Sequence, residues 1–229
     1  MVLPIIPIMA LIVFMLSVST LVRIIYKYLA KTECPIVCLG PNAAGKTTFI
    51  NFLHHGEITK VYKGTNLKEL KKGKTVKMGD LKFRVPDFND VYGSELNYPN
   101  WKDAFQNAKI CFYIFDISRW KEEKEYRERV DSDVSRIALW TQYIQDPTKR
   151  RILFLFNFSD KLSNYSPGEK NMELLDNIWR EFYSIHERHL LKLKFGHDPI
   201  LISLHPQYIE NSFFIISLTV AHYIKKKDI

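Results

Sequence analysis

Apolar and polar positions along the chain fall into two rhythms. Short unbroken apolar runs read as buried strands, and longer stretches with apolar residues every three or four positions read as amphipathic helices. The first run in the body of the chain is "PIVCLG" (Pro35 to Gly40). It is followed by "KTTFINFLHHG", a helix closed by Gly56. "VKMGDLKFRVPDF" contains a hairpin turn at Met78 to Asp80 and a strand ending at Asp87. "KICFYIFDI" (Lys109 to Ile117) reads as a central strand, β-branched and aromatic. From Lys121 a charged helix is predicted, with Tyr126, Val130, Val134, Ile137, Trp140 and Ile144 on one face. Its outer face offers the pairs Glu123–Arg127 and Glu125–Arg129 at helical spacing. "RRILFLFNFSD" is a second buried strand, "MELLDNIWREFYSIHERHLL" a helix, "DPILISL" a strand and "YIENSFFIISLTVAHYIKK" a closing helix. "DKLSNYSPGEKN" (Asp160 to Asn171) reads as a flexible loop. Strands alternating with helices predict an α/β fold, a mostly parallel sheet with helices on both faces.

The start of the chain follows neither rhythm. Val2 to Val22 carries no charged residue. As a helix it would be about 31 Å long, close to the thickness of a bilayer's hydrocarbon core. The first basic residues, Arg23, Lys27 and Lys31, come after it rather than before, unlike a cleaved signal peptide. The sequence therefore predicts one transmembrane helix ahead of the domain. Residues 1–31 would be anchor and juxtamembrane segment, and residues 32–229 the folded domain. The positive-inside rule places the N-terminus outside, or lumenal, and the domain in the cytoplasm.

Composition narrows the rest. A length of 229 residues with 46% apolar content suits one globular domain with a full core. The cysteines Cys34, Cys38 and Cys111 are too few for a disulfide framework and read as reduced core residues. The formal net charge of +8 fits nucleic acid or anionic lipid. No aromatic-interleaved RNA motif is present in the sequence, so no nucleic-acid partner is expected.

Candidate chemistry sits between the first strand and the first helix. Gly40-Pro-Asn-Ala-Ala-Gly45-Lys46-Thr47 matches the pattern G-x4-G-K-[ST] of the P-loop NTPases, in the strand–helix context it requires. Unpaired N–H groups at a helix N-terminus favour an anion. Gly40 and Gly45 let the backbone curl around a phosphate. The expected phosphate-binding set is Gly40, Asn42, Ala43, Ala44, Gly45, Lys46, Thr47 and Thr48. Lys46 would reach the β- and γ-phosphates, and the Thr47 hydroxyl would ligate Mg²⁺.

"GPNAAGKTTFINFLHHGEI" resembles the opening of Ras-superfamily small GTPases, nearest to the ADP-ribosylation-factor branch, whose pattern runs G-x-x-x-A-G-K-T-T and then reaches "GEI". "NWKDAFQNAKICFYIFDIS" resembles that branch around its central strand, and "LISLHPQYIENSFF" resembles Rag-type GTPases. A membrane helix ahead of such a domain is the arrangement of the signal recognition particle receptor beta subunit. The resemblance implies GTP or GDP with Mg²⁺ as cofactors. It also implies that Thr65 closes on Mg²⁺ and the γ-phosphate, with Thr59 as the less well placed alternative, and that Asp87 acts on Mg²⁺ through water. Lys46 and Thr65 would be the residues acting on the reacting phosphate. The guanine motif N-K-x-D becomes Asn157-Phe158-Ser159-Asp160, and the last base-side turn becomes Ser203-Leu204-His205. Asn157, Asp160, Ser203 and Leu204 are thus the expected base-side contacts, with a side-chain role for His205 left open.

Two departures bear on turnover. The family's D-x-G-G-Q is here Asp87-Phe88-Asn89-Asp90-Val91. Asp90 replaces the glycine that senses the γ-phosphate, and Val91 replaces the glutamine that orients the attacking water. Intrinsic hydrolysis is expected to be slow or negligible. Three functions stay open at this point: a membrane-anchored GTP-dependent partner switch, a constitutively GTP-bound membrane scaffold, and an ATP-using P-loop enzyme. The first two imply a protein partner bound through the switch loops, in receptor-like form a second receptor subunit. The membrane would be the endoplasmic reticulum for a receptor-like protein and otherwise a bacterial inner membrane.

Overall fold

A computed structural model describes residues 35–55, 75–78, 81–84, 98–146, 150–166 and 171–225. The predicted anchor, Thr59, Thr65, Asp87, Asp90 and Val91 lie outside the described residues. No helix among the described residues is long and apolar enough to cross a membrane.

Four strands, β1 (Ile36–Leu39), β4 (Ile110–Asp116), β5 (Arg151–Asn157) and β6 (Gly196–Leu201), form one sheet in the order β1-β4-β5-β6. Every pairing in it is parallel, as the alternating pattern predicts. β2 (Thr75–Met78) and β3 (Leu81–Arg84) form an antiparallel pair, which fits the predicted hairpin. The last described strand before Asp87 ends at Arg84.

The uninterrupted apolar runs are explained by burial on both faces. In β4, Cys111, Tyr113 and Phe115 face one core with Phe154 and Phe156 of β5, while Ile110, Phe112 and Ile114 face the other with Leu153 and Leu155. The first core is closed by α2 (Tyr98–Asn107), α4 (Lys124–Thr141) and α5 (Asn171–Leu190), whose Trp101, Val130, Val134 and Phe182 are buried there. Phe182 stacks on Phe115 at 5.5 Å between ring centroids. The second core is closed by α1 (Lys46–His55) and α6 (Ile209–Lys225), where Phe49 stacks on Phe213 at 5.1 Å. Parallel pairing brings the C-terminal ends of β1, β4, β5 and β6 to one edge, where open α/β sheets bind ligands.

Two local features differ from the sequence expectation. The helix predicted from Lys121 is two helices, α3 (Ile117–Glu122) and α4. They part at Glu123, whose backbone is extended. Asp116 caps α3 by accepting from the N–H groups of Ser118 and Arg119. Arg127 donates to the Trp120 and Lys121 carbonyls, satisfying acceptors the break would otherwise strand. Arg119, rather than Arg127, holds Glu123, through two nitrogens. Tyr126, Val130, Val134, Ile137 and Trp140 are buried as predicted, while Ile144 is buried beyond the helix end. The second feature is α2, whose apolar positions Tyr98, Trp101 and Phe105 are few and interleaved with polar residues. Pro99 suits its first turn.

A buried polar cluster joins α2 to the sheet. Asp133 has no exposed surface and accepts from the Tyr98 hydroxyl at 2.7 Å, the Tyr113 hydroxyl at 2.9 Å and Arg129 Nε at 3.0 Å. Burial pushes the Asp133 carboxyl above the ordinary range, against the pull of these donors. The Tyr98 phenol is pushed up to about 12, chiefly by desolvation.

Candidate functional site: a phosphate turn and a base-side loop

The turn after β1 has the backbone of a phosphate cradle. Gly40 (φ 145°), Ala43 (φ 59°) and Gly45 (φ 97°) all have positive φ. A Cβ on Gly40 would run into the carbonyl of Ile114 in the neighbouring strand, and one on Gly45 into the Asn157 amide. Glycine is therefore needed at both positions on grounds of space as well as conformation. Asn42 and Ala43 lie exposed at the tip, Ala44 is buried, and Lys46, Thr47 and Thr48 open α1. The Lys46 side chain is only 7% exposed. Its ammonium curls back into the turn and donates to the Gly40 carbonyl at 2.8 Å and the Pro41 carbonyl at 2.6 Å.

The buried side chain of Asn157 ties the base-side loop to this turn. Asn157 Nδ2 donates to the Ala44 carbonyl at 2.9 Å, and its Oδ1 accepts from the Leu204 N–H at 3.1 Å. One amide thus fixes the phosphate turn, the end of β5 and the segment after β6. Beyond it, Phe158 takes the left-handed conformation (φ 60°), and Ser159–Lys161 make a single 3₁₀ turn. The Ser203 hydroxyl donates to Asp160 Oδ1 at 2.6 Å and accepts from the His205 N–H at 3.2 Å. Ser203 is held in turn by Ser212 of α6, which accepts from its N–H and donates to its carbonyl, both at 2.9 Å. His205 thus enters the site through its backbone, while its ring accepts weakly from the Gln207 N–H at 3.4 Å.

Of the predicted residues, Gly40 to Thr48, Asn157, Asp160, Ser203 and Leu204 come together at one sheet edge. Thr47 is the one expected metal ligand among the described residues, and no cluster of three His, Cys, Asp or Glu forms among them. The chemistry fits a nucleotide: a glycine-shaped turn at a helix N-terminus with a buried ammonium at one end of the site, and an oriented carboxylate at the other. Two residues of the site carry no signal in the one-dimensional pattern. Asp116 ends β4 directly opposite Asn157 in register. Lys161 lies with its Nζ 3.4 Å from Asp116 Oδ2 and 4.2 Å from the Phe158 ring centroid.

The ADP-ribosylation factor family profile matches residues 21–156. That span stops one residue before Asn157, so the base-side loop lies beyond it. Among solved structures, the fold is similar to the Arl6 BBS3 small GTPase from Trypanosoma brucei with bound nucleotide analogue GppNp. Its TM-score is 0.54 at 17% identity, over 82% of this chain and 98% of that one. It is also similar to a chain of the mammalian SRP receptor, with TM-score 0.51 at 12% identity over 81% and 99%. At these identities the likeness is one of fold. The strand–turn–helix cradle, the parallel sheet and a family match over more than half of the chain agree, and the chain belongs to the ADP-ribosylation factor family of small GTP-binding proteins.

Proposed function

We propose that this chain is a membrane-anchored GTP-binding protein that changes partner affinity with nucleotide state and hydrolyses GTP slowly. The observation that carries the reading is the Asn157 bridge. A single buried amide links the phosphate turn at Ala44 to the base-side segment at Leu204. It makes sense where one ligand spans both. Gly40, Asn42 to Gly45 and the first residues of α1 would cradle the phosphates, and Lys46 would leave its carbonyl partners for phosphate oxygens. Asp160, oriented by Ser203, would pair with the ring N–H and amino group of guanine, a donor pair adenine lacks. This weighs against the ATP-using reading. Mg²⁺, held by Thr47 with Thr65 and through water by Asp87, would neutralise charge between the β- and γ-phosphates.

Slow hydrolysis rests on Asp90 and Val91, which stand where the family pattern has glycine and glutamine. The same two residues favour a second reading, a scaffold locked with GTP that holds a partner at the membrane. Anchoring rests on the uncharged run Val2 to Val22 and the basic residues after it. A second receptor-type subunit at the endoplasmic reticulum is the partner the beta-subunit resemblance implies. A bacterial inner membrane suits the same topology.

The test is to purify the full chain in mild detergent, extract its nucleotide, identify it by chromatography and follow the γ-phosphate for hours. GDP, or GTP that decays slowly, is the expected result for the switch. GTP that persists unchanged gives the scaffold. Recovery of ATP, or of no nucleotide with no guanine binding on titration, overturns both.

A further inference from the structure

Where the resembled motif carries a lysine over the base, this chain has Phe158, and a cation has reappeared three residues on. We infer that Lys161 is a positioning residue for the purine base, acting through the ring of Phe158; this rests on the guanine reading of the Asn157–Asp160 loop. Phe158 takes the left-handed conformation just past the end of β5, and it is half-buried. One face of its ring is covered by the Lys161 ammonium, 4.2 Å from the centroid, within the range of a cation–π contact.

The ammonium does not float there. It is 3.4 Å from Oδ2 of Asp116, a carboxylate only 4% exposed. The other oxygen of Asp116 is fixed by the Ser118 N–H at 3.0 Å, the Ser118 hydroxyl at 2.6 Å and the Arg119 N–H at 3.2 Å. Asp116 is therefore a rigid post at the end of β4, and Asn157 stands beside it in register at the end of β5. Post, ammonium and ring form one chain of contacts from the sheet to the loop. The ring face opposite Lys161 is the one a purine would stack on, and a cation behind an aromatic ring fixes its tilt. An aliphatic stem lying over a base is replaced by an aromatic plate with its cation behind it.

The experiment uses the full chain in mild detergent, loaded with ribose-labelled fluorescent GDP and chased with unlabelled GDP. Lys161→Met should speed release about three- to tenfold. Lys161→Arg, which keeps a cation for the ring, should stay within about twofold of wild type. Phe158→Leu should speed release to a similar degree, and Lys161→Met should then add less than about twofold. Binding of tripolyphosphate, which has no base, should be unchanged in every variant; a general loosening of the site would weaken it. Phe158→Leu keeps the Lys161–Asp116 pair and carries the test if Lys161→Met does not fold. Unchanged release in either single variant overturns the inference. So does an equal effect of Lys161→Met with and without the ring, which would mean that Lys161 acts through the fold alone. A wild-type chain that retains no labelled GDP overturns the guanine reading and this inference with it. Retention in wild type without a Lys161 effect overturns this inference alone.

Discussion

The two ends of the candidate site are built from different material. The phosphate turn is mostly backbone: three residues at positive φ, a helix N-terminus and one buried ammonium. The base-side loop is mostly side chains: Asn157, Asp160, Ser203, Phe158, Lys161 and Asp116. The first keeps the P-loop pattern intact, whereas the second keeps Asn157 and Asp160 and departs at Phe158. A backbone cradle depends on a few glycines and has no partial substitute. A side-chain wall can lose one member and recover its shape from another position.

The sharpest way to break this contrast is at Gly40. An added methyl group would collide with the Ile114 carbonyl, which belongs to the sheet and cannot swing aside. Gly40→Ala should cost about 3 kcal/mol or more and abolish nucleotide retention. Thermal melting and nucleotide content after purification check it. A stable variant that still retains nucleotide would mean that the turn tolerates substitution as well as the loop does.

The next largest effect is expected at Asn157, whose amide is hydrogen-bonded to both ends. Asn157→Ala removes two buried hydrogen bonds and strands the Ala44 carbonyl and the Leu204 N–H. The cost should be about 2–4 kcal/mol of stability. If Asn157 couples the two ends, GDP release should rise more in this variant than in any single change confined to the base side. Equal release in Asn157→Ala and Ser203→Ala would show that the ends act independently.

Ser203→Ala is the milder probe of the loop alone. It takes away the donor that orients Asp160, whose carboxylate is partly exposed, so about 1 kcal/mol and a fivefold faster GDP release are expected. Tripolyphosphate binding should not change. A loss of it would place Ser203 in the support of the phosphate turn, through Leu204 and Asn157.

These contrasts also explain which parts were legible in the sequence. The phosphate turn is contiguous, so Gly40 to Thr48 could be read directly, and the central strands followed from unbroken apolar runs. Asn157 and Asp160 were legible because the guanine motif is short and ends a strand. Asp116 and Lys161 were not, because they meet only when β4 and β5 align, and sequence separation hides register. The break at Glu123 was hidden for a related reason: apolar positions lie on both sides of it, and the carbonyls it exposes, of Trp120 and Lys121, are taken up by Arg127 from the next helix. α2 was missed because only Tyr98, Trp101 and Phe105 mark its buried face, at helical spacing but among mostly polar residues.

The smallest expected effect is a control outside either end. His186 of α5 has no exposed surface; its Nδ1 lies 2.9 Å from Asp131 Oδ1, and its Nε2 has no hydrogen-bond partner among the described residues. The ring packs on Phe182 at 4.3 Å between centroids, with His189 reaching the same Asp131 carboxylate at 3.6 Å. Burial lowers the His186 pKa below 6.5, and it outweighs the attraction of Asp131. In the window between the lowered folded value and 6.5, the unfolded chain binds more protons than the folded one. Stability contributed by the neutral ring is therefore full above 6.5 and declines as pH falls through that window. Melting temperature should drop by a few degrees on acidification, and His186→Leu should flatten that slope. The ratio of GDP release between wild type and Ser203→Ala should be the same at both ends of the window. If the ratio moved with pH, the base-side loop would have to be coupled to the α4–α5 seam. Its side chains would then owe their geometry to the whole scaffold and not to Asp116, Asn157 and Ser212 alone.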